Sequence, residues 1–163
     1  MKILILGHAR HGKDTAANFI AGLTGLEFAS SSMFACEKFI FNDMNYLGRE
    51  YKTPRNCYND RHNHRQLWYE MICEYNTPDK SKLCRELLKD YDIYVGMRDN
   101  EEYDASKKLF DYIFWVDASG RKPDDSTMKI EYSEADHILI NNNDSLTYLF
   151  HEIEYELKLI SHL

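Results

Sequence analysis

The stretch ILILGHARHGKDTAANFI, residues 3 to 20, constrains this chain more than any other part of it. The apolar-rich run from Lys2 to Leu6 is short, is bounded by Gly7, and suits a buried parallel strand better than a helix. After Lys13 the apolar residues Ala16, Phe19, Ile20 and Leu23 fall three and four apart, the spacing of one helical face, and Gly25 closes the element. Between strand and helix lies Gly7-His8-Ala9-Arg10-His11-Gly12-Lys13, a match to G-x-x-x-x-G-K in the context that pattern demands. Glycines let the backbone curl so that successive N–H groups converge on phosphate oxygens, the helix N-terminus adds the positive end of its dipole, and Lys13 adds a full charge. An ordinary strand-to-helix turn does not need two glycines five apart followed by lysine. The loop predicts a phosphate site formed by Gly7, Arg10, His11, Gly12, Lys13, Asp14 and Thr15, with His8 and His11 filling the turn and free of acid-base duty.

The rest of the chain alternates strand and helix patterns. Leu26 to Ala29 reads as a weak strand, followed by a Ser30-Ser31-Ser32 cap and a helix to about Tyr46. Leu47 to Asn63 is polar, contains Pro54 and reads as irregular. Leu67, Trp68, Met71, Ile72 and Tyr75 mark a helix from Arg65, and Thr77-Pro78 predicts an N-cap and first-turn proline for a further helix to about Asp90. Asp92 to Met97 reads as a strand, Asp99 with Glu102 as a capping box for a helix through Phe110, and Tyr112 to Val116 and His137 to Ile140 as strands. The last helix carries an apolar stripe of Leu146, Leu149, Phe150, Ile153, Leu157 and Ile160. Such alternation predicts an α/β fold with a parallel five-stranded sheet sandwiched by helices, and ligands at the carboxyl ends of the strands.

At 163 residues a single domain is expected. A net charge of -7 argues against a broad nucleic-acid footprint and favours a small anionic ligand in a local basic pocket. With 44% hydrophobic residues and no run of about 18 apolar ones, the sequence offers no membrane span, and a cytoplasmic protein is expected. Cys36, Cys57, Cys73 and Cys84 form no C-x-x-C pair and read as reduced thiols, not a zinc site. His62 and His64, two apart, would not share a helical face as a metal pair.

Arg10-His11-Gly12-Lys13-Asp14-Thr15 resembles the loop of phage-type deoxynucleoside monophosphate kinases, a branch of the P-loop nucleoside monophosphate kinases whose loops commonly read basic-x-G-K-D-T. The resemblance continues in IYVGMRDNEE, with Arg98 and Glu101, and in DHILINNNDSL, and it covers most of the chain. It implies a P-loop kinase domain over residues 1–163, with an acceptor-binding helical part at about 30–90 and a short lid at about 118–131. The implied reaction moves the γ-phosphoryl group of ATP, with Mg2+, onto a (deoxy)nucleoside monophosphate. The implied site is in the cytoplasm, that of the host if the chain is phage-encoded. Homodimerisation stays open.

In that reading Lys13, Arg98 and Arg121 serve catalysis, Arg121 from the lid, with an exposed connection of solvated charges as the alternative reading of that segment. Asp14 stands where a hydroxyl is usual, and two roles stay open for it: holding magnesium or its waters together with Thr15, or capping the helix N-terminus. Gly96 replaces the aspartate that family members often carry before the arginine, and Asp99 and Asp117 are the alternative metal partners. Arginines suit an acceptor phosphate through planar paired donors. Arg61, Arg65 and Arg98 are the candidates, with Trp68 stacking on a base or packing in the core, and with Ser30, Ser31 and Glu101 assigned by the resemblance. Two rivals share the loop: a P-loop module that holds nucleotide without turnover, and a small-molecule kinase similar to dephospho-coenzyme A kinase.

Overall fold

The computed structural model describes residues 1–143 and 145–161, so Asp144 of the Asn-rich segment lies outside the described residues. Five parallel strands form one sheet: β1 (Ile3–Leu6), β2 (Phe28–Ser30), β3 (Ile93–Val95), β4 (Tyr112–Asp117) and β5 (His137–Ile140), in the order β2-β3-β1-β4-β5. Parallel strands need crossovers, and helices supply them: α1 (Lys13–Thr24) joins β1 to β2, and α7 (Asn100–Ser106) lies between β3 and β4. The chain leaves β1 toward the β2 edge, returns through β3 and passes β1 to reach β4. Connections therefore diverge at the carboxyl end of β1, where an open α/β sheet leaves a crevice.

The alternation of side chains along β1 decides which layer each residue joins. Ile3 and Ile5 pack with Ala16, Ala17 and Ile20 of α1 and with Leu149, Ile153, Leu157 and Ile160 of α8 (Leu146–Ile160). Leu4 and Leu6 face the other way, into a second layer with Tyr94, Trp115 and Tyr103, closed by Cys84 and Leu87 of α6 (Lys82–Leu87). Each fully buried Ile or Leu contributes about 1.5–3 kcal/mol, so β1 is anchored on both faces. A third cluster, Ala35, Cys36, Ile40, Met44, Cys57, Trp68 and Leu83, lies wholly among helices. It ties together α2 (Ser31–Ala35), a π-helical stretch Cys36–Ile40, α3 (Phe41–Tyr46), α4 (Pro54–Asp60), α5 (Arg65–Tyr75) and α6.

Three local readings change. The polar segment 47–63 is irregular only as far as Thr53: that residue caps α4 by accepting from the Asn56 N–H, and Pro54 takes the first turn, where its missing N–H costs nothing. Thr77-Pro78 begins no helix, because the Thr77 hydroxyl donates back to the Cys73 carbonyl and α6 starts only at Lys82. Asp99 does cap α7, accepting from the Glu102 N–H, but Glu102 turns its carboxylate to the Tyr94 hydroxyl and does not complete the box. Among the described residues no helix is long and apolar enough to cross a membrane.

The loop that follows β1 depends on two left-handed glycines. Gly7 has φ +136° and Gly12 φ +99°; a Cβ on Gly7 would stand 2.5 Å from the Val116 carbonyl oxygen, and one on Gly12 2.4 Å from Asn141 Nδ2. The Val116 oxygen belongs to the main chain of β4 and cannot swing aside. Gly7→Ala is expected to destabilise the fold by at least ~2 kcal/mol, read as a lowered urea midpoint at unchanged slope. A midpoint within error of the parent would refute the close approach of the loop to β4.

Candidate active site

Lys13 opens α1 and folds back over the loop, its ammonium donating to the carbonyls of Gly7 at 2.8 Å and His8 at 2.7 Å. Burial, with Arg98 beside it, pulls its pKa down to about 8. No side chain caps the N-terminus of α1, where Gly12 holds the cap position, so the first N–H groups face the loop unclaimed by a side chain. Asp14 is exposed in that first turn and makes no capping bond, which favours the cavity-facing reading of its carboxylate over a capping role. His11 is fully buried: Nδ1 accepts from the Ala118 N–H at 3.0 Å, so the ring proton sits on Nε2 and donates to the Pro123 carbonyl at 3.3 Å. Burial lowers its pKa and keeps it in this neutral form.

Beside Lys13 a cavity of about 290 Å³ opens between the carboxyl ends of β2 and β3 and the helical part. Its wall includes Arg10, Lys13, Asp14, Ser30, Ser31, Arg61, Arg65, Trp68 and Arg98, which the sequence reading had assigned to two substrates and which folding brings to one space. The Ser31 hydroxyl donates to the Gly96 carbonyl at 2.7 Å and ties β2 to the end of β3. The Arg61 guanidinium lies 3.7 Å from the centre of the Tyr58 ring, a cation–π contact that holds it over the cavity. Trp68 is buried, packs edge-on against Tyr58 and forms part of the cavity wall. At the far end Glu102 is buried with its Oε1 accepting from the Tyr94 hydroxyl at 2.8 Å, and burial raises its pKa to about 7.

Of the other assigned residues, Glu101, Thr15, Asp117 and Arg121 lie outside this wall. Glu101 has a 69% exposed side chain paired with Lys80 at 2.6 Å, because it sits one position from Glu102 on α7 and points away from the cavity. Thr15 is half-buried behind the loop. Asp117 ends β4 and turns its carboxylate onto the Ser119 N–H at 2.9 Å. Asp99 lines the cavity, but its two oxygens already accept from the Tyr69 hydroxyl and the Glu102 N–H. Arg121 is exposed and donates through Nε to the Asn141 carbonyl at 2.6 Å, so it does not reach the cavity in this conformation.

Residues 118–131 cross the outside of the phosphate loop as a strap. His11 holds Ala118 and Pro123, and the Asp125 N–H donates to His8 Nδ1 at 2.9 Å. Sequence reading missed Asp125. Its carboxylate receives Arg65 Nη1 at 3.2 Å and Arg98 Nη1, and also the Thr127 N–H at 3.0 Å. Burial alone would raise its pKa, but Arg98, Thr127 and Arg65 together hold it down at about 2. Among the described residues no three His, Cys, Asp or Glu side chains gather as a metal cage. Magnesium carried on nucleotide phosphates needs only one or two protein oxygens, and Asp14 beside Lys13 fits that requirement.

The architecture is similar to shikimate kinase from Bacteroides thetaiotaomicron, with TM-score 0.58 and 13% identity over 99% of this chain and 98% of that one. It is similar to a gluconokinase from Sinorhizobium meliloti 1021, with TM-score 0.56 and 13% identity over 99% and 93%. Shikimate kinase from Aquifex aeolicus vf5 gives 0.55 and 14% over 97% and 96%. The fold is that of the P-loop kinases. No protein-family model and no curated protein matches the sequence. At such identities the likeness is one of architecture, and the chemistry has to be read from the side chains.

Phosphate bound by Lys13 would be held in a pH-dependent way, because the pKa of that ammonium is depressed. The ammonium is charged below about pH 8 and neutral above it, so affinity is full at lower pH and falls as pH rises. One unit above a pKa about a tenth of the group keeps its charge, so ADP should bind about tenfold more weakly at pH 9 than at pH 7. Lys13→Ala should bind weakly at both. A flat calorimetric profile for the parent would remove Lys13 from the phosphate site.

Proposed function

We propose that the chain is an ATP-dependent nucleoside monophosphate kinase, with deoxynucleoside monophosphates as the preferred acceptors. The observation that carries this reading is the single cavity that joins Lys13 and Asp14 of the phosphate loop to Arg61, Arg65 and Arg98. A neutral acceptor hydroxyl calls for no such concentration of guanidinium groups. An acceptor that brings its own phosphate does, and arginine is the side chain that matches phosphate with paired donors.

In this account residues 1–163 act as one kinase domain. The loop N–H groups, the N-terminus of α1 and Lys13 hold the donor phosphates. Arg65 and Arg98 hold the acceptor phosphate, with Arg61 fixed over Tyr58 at the cavity rim. Magnesium, when bound with ATP, neutralises charge on the donor phosphates, and Asp14 supplies the protein oxygen nearest to them. Transfer needs no covalent enzyme intermediate, since positioning and charge neutralisation carry catalysis of this kind. Ser30, Ser31 and the buried Tyr94–Glu102 pair line the end that receives the nucleoside. The strap at 118–131 serves as the lid, and Arg121 reaches the transferring group only if it leaves Asn141. The partners are small nucleotides, and the expected compartment is the cytoplasm.

A coupled ADP-release assay over the eight common ribo- and deoxynucleoside monophosphates tests this. Turnover with at least one is expected. For the accepted monophosphate, Arg98→Ala should raise KM at least tenfold and leave KM for ATP nearly unchanged, since a charged hydrogen bond is worth about 1.5–3 kcal/mol. No turnover with any of the eight would overturn the assignment.

A further inference from the structure

Asp125 stands in an unusual position for a strap residue. Its side chain is only 4% exposed, and one oxygen, Oδ2, takes Nη1 of both Arg65 and Arg98. The other oxygen, Oδ1, takes the Thr127 N–H at 3.0 Å and the Thr127 hydroxyl at 2.8 Å. Its main-chain N–H is bound to His8 of the phosphate loop. Asp125 does not itself line the cavity, whereas both arginines do. It sits behind the two guanidinium groups and draws one nitrogen of each away from the space that would receive a ligand.

We propose that Asp125 is a specificity-setting counter-ion of the acceptor seat, one that makes Arg65 and Arg98 select a phosphate dianion over a carboxylate. The inference rests on reading these arginines as the acceptor-phosphate ligands. A guanidinium keeps its charge and offers five N–H donors, so each arginine can serve Asp125 and a ligand, dividing its attraction between them. A ligand carboxylate carries the same single charge as Asp125 and gains nothing by competing with a partner already fixed by Thr127. A phosphate dianion brings twice that charge and more acceptor oxygens, and it draws both guanidinium groups toward the cavity. The same competition moderates affinity, so that a site walled by Arg10, Lys13, Arg61, Arg65 and Arg98 does not trap its anionic product. Since the Asp125 N–H bonds the phosphate loop, a pull on its side chain is also felt at the donor site.

The test is calorimetry on the full chain saturated with ADP, so that the phosphate loop is filled, using inorganic phosphate and acetate as probes. The parent should bind phosphate and give no heat with acetate. Asp125→Asn should bind phosphate at least tenfold more tightly and should acquire measurable acetate binding. In the parent, inorganic phosphate should also speed hydrogen exchange at the Thr127 amide, which Asp125 Oδ1 protects. Unchanged or weaker phosphate binding in Asp125→Asn overturns the proposal. If that variant does not fold, Thr127→Val loosens the carboxylate without removing it and should tighten phosphate at least threefold, and an unchanged value there overturns the proposal equally. Phosphate binding requires no turnover, so a chain that passes this test but phosphorylates no monophosphate separates failure of the kinase reading from failure of this one.

Discussion

The His11 imidazole, buried inside the phosphate loop, holds together the parts on which the site depends. Its Nδ1 accepts from Ala118 just past β4, its Nε2–H meets Pro123 in the strap, and its carbonyl takes the Asn141 amide at 2.8 Å just past β5. One residue between two left-handed glycines thus binds the loop after β1 to the ends of β4 and β5. A buried histidine with both ring nitrogens and its main-chain carbonyl engaged has little freedom, and the loop inherits that rigidity. Electrostatic stabilisation requires donors fixed before a ligand arrives, and these bonds fix the loop in that way.

Charge is the second constraint. Lys13, Arg61, Arg65 and Arg98 all line the cavity, and after burial the like charges of Arg98 and Arg61 are what lower the Lys13 pKa. The fold offsets this in three ways. The Lys13 ammonium rests on two loop carbonyls, Arg61 lies on the Tyr58 ring, and Asp125 is shared by the other two arginines. Burial has already brought Lys13 close to losing its proton. Anionic charge placed among these side chains relieves their repulsion, which suits the wall to a phosphate-bearing ligand.

How much of this could be read from the sequence depends on whether the cause was local. The phosphate loop was legible because its requirements, two glycines and a lysine at fixed spacing between a strand and a helix, are written in adjacent residues. The strands and α8 were legible from periodicity. The two Thr-Pro pairs show the limit: Thr53-Pro54 starts a helix and Thr77-Pro78 does not, because the Thr77 hydroxyl finds a carbonyl in the preceding helix. Glu101 and Glu102 are neighbours, and Glu102 is the one that turns inward, to the buried Tyr94 hydroxyl. The cap at Asp99 could have indicated this, since it fixes the start of α7 and hence the direction of each glutamate. Asp125 could not be found this way, as it lies 60 residues from Arg65 and 27 from Arg98, and only the completed fold joins them.

The central claim is that the phosphate loop and the arginine-walled cavity are two halves of one transfer site. Binding of an analogue in which adenosine and a second nucleoside are joined by a chain of five phosphates tests it most directly, because a single molecule must then span both halves. If the account is correct, one analogue binds per chain at least a hundredfold more tightly than ATP, and Lys13→Ala and Arg98→Ala each abolish that advantage. Affinity no greater than that of ATP alone would mean that the two halves do not face one another across a common reaction path.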